Sequence, residues 1–254
     1  LDELSTMIRK LGSYVRPRKA GVSSLNFPAK GRIYPEPYGN VLIFSAWNYP
    51  FQLLFSPFIG AIAAGNCVIL KPAEQAPATA EIAAKIVAAV FPPEYASVCN
   101  GGHEMTQELL AEEFDCIFYT GGSAGAKFIA RAAAEHFTPL TLELGGKSPC
   151  IVDADAKIDL AAKRIVWGKF LNAGQTCVAP DYLLVHKTAR DKLLDRLRHW
   201  IRTFYGDNPK NSPDYPRIIN AHHCERIAGL INGSEIFCGG GIDLEEKYIE
   251  PTIL

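Results

Sequence analysis

The sequence predicts an α/β fold with a doubly wound, mostly parallel sheet. Short apolar runs alternate with helical patterns along the chain, which is typical of βαβ units. The stretch from Pro37 to Leu70 contains no charged residue, and strands of a parallel sheet read this way because both of their faces are buried. A membrane span would also be uncharged, but Asn48, Asn66 and several prolines interrupt the stretch. We therefore interpret it as protein core.

The alternation of apolar runs and helical patterns predicts where each strand and helix lies. The chain has 254 residues, 48% of them hydrophobic, which is enough for two domains. The predicted strands cover residues 41–46, 67–70, 97–100, 116–119, 140–142, 150–152 and 182–186. The predicted helices cover residues 51–64, 78–90, 106–111, 124–135, 160–171 and 189–205. The last helix is the clearest, because Thr188 is a good N-cap and apolar residues recur on one stripe. These residues are Leu193, Leu194, Leu197, Trp200, Ile201 and Phe204.

Two further segments stand apart from this alternation. Residues 26–37 are punctuated by proline and glycine, so we expect them to protrude from the domain rather than form a core strand. The chain begins at Leu1 without an initiator methionine and stops at Leu254 soon after a strand-like run. We therefore expect both ends to be cuts through a longer polypeptide.

Charge and cysteine content exclude several classes of protein. Lys and Arg number 26 and Asp and Glu 27, a formal net charge of -1, so nothing favours a nucleic-acid partner. The seven cysteines are an odd number without short paired spacing. We expect neither a disulfide framework nor a metal site, and a reducing compartment such as the cytoplasm is the simpler interpretation.

Cys177 is the first candidate for chemistry. It follows Gly174-Gln175-Thr176 and precedes Val178-Ala179-Pro180. A cysteine on a glycine-led turn can face a cleft, with backbone N–H groups that favour a thiolate and a neighbouring oxyanion. A buried structural thiol is the alternative.

Glu143 is the second candidate, within Leu142-Glu143-Leu144-Gly145-Gly146-Lys147-Ser148-Pro149. The flanking leucines should partly desolvate the carboxylate, which would suit a general base. The two glycines allow a tight turn and a close approach to a ligand. An edge-strand glutamate that faces water is the alternative.

Asn48 is the third candidate, within Ser45-Ala46-Trp47-Asn48-Tyr49-Pro50-Phe51 at the end of the first central strand. Ligands of open α/β sheets bind beyond the carboxyl ends of the strands. A side-chain amide at that position can stabilise a developing oxyanion. An ordinary turn asparagine before a proline-started helix is the alternative.

Together these motifs resemble the aldehyde dehydrogenase superfamily, in the family's order Asn48, Glu143, Cys177 and over essentially the whole chain. The resemblance implies that Cys177 is the nucleophile and that Glu143 activates the deacylating water. It also implies an oxyanion hole built from the Asn48 amide and the Cys177 N–H. The runs 175–182 and 213–219 are similar to the class 3, fatty-aldehyde branch.

The resemblance also implies an NAD or NADP site in a Rossmann-like domain without the usual Gly-x-Gly-x-x-Gly fingerprint. Lys71 and Glu74 match the strand-end residues that reach the adenosine ribose. The run 119–126 matches the turn into the helix whose N-terminus faces the pyrophosphate. The implied cofactor-binding residues are Lys71, Glu74, Gly121, Gly122, Ser123, Ala126, Trp47 and Gly145.

The sequence departs from the family in two ways. Ala126 stands where the family usually keeps a glycine, so one methyl group could alter the approach to phosphate. The family's glutamate for the nicotinamide ribose, further catalytic-domain strands and part of the substrate tunnel would follow Leu254. We accordingly expect a dinucleotide-binding domain over residues 1–142, in which 26–37 is a protruding oligomerisation segment. We expect an incomplete α/β catalytic domain over residues 143–254.

The predicted function is NAD(P)-dependent oxidation of an aldehyde to a carboxylic acid through a thiohemiacetal and a thioester. Trp47, Tyr49 and Phe51 indicate a hydrophobic aldehyde, and the resemblance implies a homodimer for the full-length protein. One alternative is a CoA-acylating aldehyde dehydrogenase, which the presence of Glu143 disfavours. Another is a non-catalytic dinucleotide-binding or interaction fragment, since we expect little activity from the 254 residues alone.

Overall fold

A computed structural model describes residues 2–254. The chain divides into two compact units, Leu1–Leu144 and Gly145–Leu254. The sequence placed the boundary between residues 142 and 143, whereas the units separate between residues 144 and 145. The reason is that Glu143 pairs with Thr120 and so ends a strand of the first unit.

The first unit is built around a five-stranded sheet. Its elements are α1 (Asp2–Tyr14), β1 (Arg18–Ala20), β2 (Gly31–Ile33), β3 (Asn40–Phe44), α2 (Pro50–Ala63), β4 (Cys67–Lys71), α3 (Pro77–Val90), β5 (Ala96–Val98), α4 (His103–Leu110), β6 (Cys116–Thr120), α5 (Ser123–Glu135) and β7 (Leu140–Glu143). The strand order is β5-β4-β3-β6-β7, and all of these strands are parallel. The predicted α/β fold with a parallel sheet is confirmed.

Burial on both faces of β3 explains the uncharged stretch. Val41 and Ile43 pack with apolar residues of α2 and α3, whereas Leu42 and Phe44 pack with those of α4 and α5. Successive side chains of a strand point to opposite faces, so a central strand covered on both sides has no position that suits a charge. Within residues 2–254, no helix combines the length and the apolar character that crossing a bilayer requires.

The segment 26–37 is separate from the five-stranded sheet. It contains β2, which pairs antiparallel with β1 in a ribbon of their own. Phe27 and Tyr34 are 87% and 59% exposed, which agrees with a protruding segment. Its oligomerisation role stays a prediction.

The second unit contains β8 (Ser148–Val152), α6 (Ile158–Phe170), β9 (Pro180–Val185), α7 (Arg190–Tyr205), α8 (Ala221–Ile231), β10 (Ile242–Asp243) and β11 (Tyr248–Ile249). Strands β8 and β9 are parallel, and β10 and β11 are antiparallel. Val152, Val166 and Leu197 lie in the main core, so α6 and α7 pack with β8. Pro180 begins β9.

The N-cap predicted for α7 is wrong. The capping position is Ala189, which has helical dihedral angles and no capping side chain. The Thr188 hydroxyl instead pairs with His186 Nδ1 at 2.8 Å. The Thr188 hydroxyl therefore forms a local hydrogen bond and does not cap the helix.

Candidate active site

A polar cavity of about 300 Å³ lies in the first unit where strands of the sheet end. From the central strand β3, the next strands β4 and β5 are added in one direction along the sheet. The chain then crosses back and adds β6 on the other side of β3. Such a reversal opens a crevice beyond the carboxyl ends of the strands, where open α/β sheets bind ligands. The lining residues are Phe44, Ser45, Ala46, Trp47, Lys71, Pro72, Ala73, Glu74, Gln75, Gly102, His103, Thr106, Tyr119, Thr120, Gly121 and Gly122.

Lys71 is a buried cation at the end of β4. Its side chain is nearly inaccessible, with the residue 6% exposed, and Nζ donates to the Pro72 carbonyl at 3.1 Å. Burial lowers the pKa of the Lys71 ammonium, and the Glu74 carboxylate partly opposes that shift. Burying an ammonium group away from water is unfavourable unless polar partners surround it. A buried lysine therefore suits a site where a polar ligand contacts it.

Glu74 is exposed, and its carboxylate lies beside Gln75 and Gly102. Oε1 accepts from Gln75 Nε2 at 3.3 Å. Oε2 lies so close to Gly102 that a β-carbon at that position would be 2.7 Å away. The glycine before α4 therefore leaves room for the carboxylate, which can accept hydrogen bonds from hydroxyl groups.

Ser45 contributes the clearest sign that the cavity holds a polar group. The residue is 8% exposed, and its Oγ has no hydrogen-bond partner among residues 2–254. A buried hydroxyl without a partner is unfavourable by about 1–3 kcal/mol. The hydroxyl, the Lys71 ammonium and the Glu74 carboxylate fit the hydroxyl-rich adenosine end of NAD or NADP.

The turn from β6 into α5 forms another part of the lining. Gly121 and Gly122 line the cavity, and Gly122 is the N-cap of α5 without a capping side chain. Ser123 opens the helix, and Ala126 is buried at 3% exposure. The side chains of Ser123 and Ala126 do not line the cavity. The free N–H groups of a helix N-terminus favour phosphate.

Asn48 and Trp47 follow β3 directly. Both lie in the bend between the strand and α2, and both are half-buried. Trp47 lines the cavity. The helix begins at Pro50, whose fixed φ suits the first helical position. The strand-end position predicted for Asn48 is therefore the observed one, and its role as an oxyanion donor stays a prediction.

Cys177 is an exposed thiol in the second unit. Its loop follows α6, where Ala173 and Gly174 have positive φ values of 49° and 77°. The side chain of Gln175 fixes the loop, since it donates to Arg217 O at 3.1 Å and accepts from Ile219 N–H at 2.9 Å. The glycine-led turn predicted from the sequence is present. The Cys177 N–H has no acceptor within residues 2–254 and so can donate to an oxyanion.

The backbone before β8 packs on the same loop. A β-carbon at Gly146 would overlap the carbonyl of Cys177, and Ser148 Oγ donates to that carbonyl at 3.5 Å. Gly145 differs, since a β-carbon there would meet no atom within 4 Å. Of the two glycines, Gly146 is the one whose missing side chain the Cys177 loop requires.

Glu143 does not have the environment expected from its leucine neighbours. It ends β7, which lies at the edge of the sheet, and Glu143 and Leu142 are both exposed. Successive side chains of a strand point to opposite faces, so Leu142 does not cover the Glu143 carboxylate. The desolvation predicted for Glu143 is therefore absent in this chain. Its catalytic role stays a prediction that rests on the resemblance.

The remaining thiols are less accessible than Cys177. Cys224 is buried, and the other five are half-buried. Burial raises the pKa of Cys99, Cys116, Cys150, Cys224 and Cys238. The cysteines are free thiols, and residues 2–254 contain no cluster of side chains that could hold a metal ion.

Sequence reasoning did not single out Ser45, Gly102, His103 or Tyr119 as site residues. Gly102 and His103 could have been found by applying the strand-end rule to β5, as it was applied to β3. Ser45 could not, since only the tertiary structure shows that its hydroxyl is buried without a partner.

Fold and cavity together define a doubly wound α/β class of domain with a crevice at the strand ends, followed by a unit with an exposed cysteine. A family model described as the aldehyde dehydrogenase family matches residues 4–254. The chain therefore belongs to the aldehyde dehydrogenase family.

Two relatives support the class 3 resemblance. Aldehyde dehydrogenase family 3 member A2 of Macaca fascicularis is 46% identical over 254 residues, which are 100% of this chain and 52% of that protein. The dimeric NADP-preferring aldehyde dehydrogenase of Rattus norvegicus is 45% identical over 254 residues, 100% of this chain and 56% of that protein. The chain thus spans about half the length of the curated relatives it matches.

Solved structures of the family have the same fold. The substrate-bound state of Staphylococcus aureus AldH superposes with a TM-score of 0.92 at 45% identity, covering 99% of this chain and 55% of that one. The Mycobacterium tuberculosis aldehyde dehydrogenase complexed with NAD+ gives 0.85 at 29% identity, covering 98% and 54%.

Proposed function

We propose that this chain supplies the dinucleotide site and the nucleophile of an NAD(P)-dependent enzyme that oxidises an aldehyde to a carboxylic acid. The observation that carries the proposal is the exposed Cys177, held on a turn by Gly174 and Gln175 beside its own unoccupied N–H. A thiol in this setting can act as a nucleophile, and the neighbouring N–H can stabilise the oxyanion that its attack creates.

The strand-end cavity of the first unit is the proposed cofactor site. Lys71, Glu74 and the buried Ser45 hydroxyl would hold the adenosine ribose. The turn at Gly121 and Gly122 would face the pyrophosphate with the N-terminus of α5. NAD or NADP, when bound, supplies the acceptor for the hydride that the aldehyde carbon loses. Ser123, Ala126 and Gly145, also implied by the resemblance, do not line the cavity and stay predictions.

The proposed chemistry takes place at the thiol of Cys177. Its thiolate attacks the aldehyde carbon, and the oxygen becomes an oxyanion that the Cys177 N–H and the Asn48 amide stabilise. Loss of a hydride from the thiohemiacetal leaves a thioester on Cys177. Glu143 then removes a proton from water, which attacks the thioester and releases the acid and the thiol. The roles of Asn48 and Glu143 come from the resemblance.

A hydrophobic aldehyde is the proposed substrate class. Phe51 is 49% exposed and stacks on Phe55 with ring centroids 4.4 Å apart. Phe55 in turn meets Phe58 edge-on at 6.0 Å. The exposed ring of Phe51, which rests on the half-buried Phe55, offers apolar surface to a hydrocarbon chain. The predicted homodimer and cytoplasmic location stay predictions.

The test uses the gene product that contains this chain, with NAD or NADP and aldehydes of increasing chain length in oxygen-18 water. We expect reduced cofactor and labelled carboxylic acid, with turnover abolished by Cys177→Ala. Acyl-CoA formed only when CoA is present would instead identify a CoA-acylating enzyme. Cofactor binding without any aldehyde-dependent reduction would identify a binding module.

A further inference from the structure

Tyr119 has an unusual environment at the end of β6. Its ring packs with the apolar core on one side of the sheet and meets Phe44 at 6.1 Å between centroids. The hydroxyl leaves that core and donates to the carbonyl of Gly122 at 3.1 Å. The side chain therefore connects the rigid sheet to the turn that opens α5.

Two glycines make room for this hydroxyl. A β-carbon at Gly121 would lie 2.6 Å from Tyr119 Cζ and would overlap the hydroxyl. A β-carbon at Gly125 would also overlap the hydroxyl and would lie 3.1 Å from Cζ. Neither glycine has a positive φ, so their backbone angles do not require glycine. The space that the hydroxyl occupies does.

The position of the Tyr119 hydroxyl therefore explains why residue 125 is a glycine. The next residue, Ala126, has a side chain and is buried. In this chain the residue without a side chain is the one that faces the Tyr119 hydroxyl.

We propose that Tyr119 is a positioning residue for the pyrophosphate of the dinucleotide, which it serves by fixing the Gly121–Gly122 turn. The hydroxyl holds the Gly122 carbonyl, and the peptide planes that follow it carry the first free N–H groups of α5. A phosphate is bound well only if these groups are already oriented, since ordering them on binding would weaken the affinity. The inference rests on the proposed function, because it assumes that the cavity binds a dinucleotide.

Burial raises the pKa of the Tyr119 hydroxyl. The group therefore keeps its proton through neutral pH and remains a donor to the Gly122 carbonyl. The expected effect of Tyr119 on binding is accordingly the same across the range in which dinucleotides are assayed.

The test compares two probes with the gene product that contains this chain. ADP-ribose contains the adenosine and the pyrophosphate, whereas adenosine lacks the phosphates. Calorimetry should show that Tyr119→Phe weakens ADP-ribose about threefold to tenfold, the loss expected for one neutral hydrogen bond, and leaves adenosine unchanged. Tyr95→Phe, at a half-buried tyrosine outside the cavity lining, is the matched control and should change neither affinity.

A second variant reaches the hydroxyl from the other side. Gly125→Ala should displace it and produce the same selective loss. Combined with Tyr119→Phe, it should add less than it does alone, because the overlapping hydroxyl is already gone. Gly60→Ala, at a helical glycine with no atom within 4 Å of a β-carbon, is its control.

The outcomes separate this inference from the proposed function. Failure of the unmodified protein to bind ADP-ribose would overturn both. The unmodified protein could bind normally while the variants lose affinity equally for both probes, or lose none. Either result would leave the dinucleotide site standing and would show that Tyr119 is only a packing residue.

Discussion

Gly146 and Cys177 are in backbone contact, so close that a β-carbon at position 146 would overlap the Cys177 carbonyl. Ser148 Oγ donates to the same carbonyl at 3.5 Å. The conformation of the loop that presents the thiol therefore depends on a glycine just before β8 and on the first residue of that strand.

Gly146→Ala should displace this loop. Overpacking of this kind lowers stability by about 1–3 kcal/mol, and a shift of about 1 Å at a nucleophile can lower its rate about 10²-fold. Iodoacetamide labelling of Cys177 and urea unfolding measure the two effects. Gly229→Ala, at a helical glycine with open space around it, should change neither. A normal labelling rate and stability in Gly146→Ala would show that the loop does not depend on this contact.

Cys177 should react with iodoacetamide before the other cysteines at neutral pH. It is exposed, whereas burial both shields five of the others and raises their pKa, so that their thiolates form at higher pH. Mass spectrometry of the labelled peptides gives the order, with Cys177→Ala as the control. Earlier labelling of Cys150 or Cys224 in the folded chain would contradict the assignment of the nucleophile.

Glu143→Gln should slow deacylation without preventing acylation. In the gene product that contains this chain, we expect a burst of reduced cofactor followed by steady-state turnover that is lower by about 10²-fold or more. Rapid-mixing absorbance distinguishes the two phases. Glu135→Gln, on the last turn of α5, is the control. Unchanged steady-state turnover would remove Glu143 from the mechanism.

Lys71→Met should stabilise the ligand-free chain and weaken adenosine binding. Burial lowers the pKa of Lys71 in the folded state below its ordinary value of 10.5, so the unfolded chain binds more protons between these two values. Stability therefore rises with pH through that window and is lowest below the folded-state pKa. Urea unfolding at several pH values should show a smaller rise for Lys71→Met than for the exposed control Lys85→Met. An equal rise in both variants would show that the ammonium is not desolvated.

The parallel sheet could be predicted because its cause is local in sequence. Residues such as Leu42, Ile43 and Leu70 are fully buried, and a strand with two covered faces must be apolar at every position. The longer helices could also be predicted, because their apolar residues recur with the 3.6-residue period of a helix, which is again a local pattern. The strand-like run that ends at Leu254 contains β11, whereas β10 and the helices α1 and α8 were not predicted.

The motifs that carry the family resemblance were also readable from the sequence. The glycine-led turn before Cys177 was predicted, and the positive φ of Gly174 is present. The N-cap at Thr188 and the desolvation of Glu143 were wrong, because a side chain two positions away engages the Thr188 hydroxyl and the Glu143 side chain is exposed. That neighbour of Thr188 is His186, and Leu142 does not cover the Glu143 carboxylate because the two side chains point to opposite faces of β7.

The sequence by itself determined the fold class, the family and the residue types available for chemistry, since burial pattern and short motifs are encoded in neighbouring positions. The tertiary structure alone decided which glycines are needed for space and which polar groups lack partners. Gly125 faces Tyr119 and Gly146 faces Cys177, while the Ser45 hydroxyl is buried without a partner. These are properties of atoms brought together by the topology of the sheet and loops, and no local pattern specifies which distant atoms will meet.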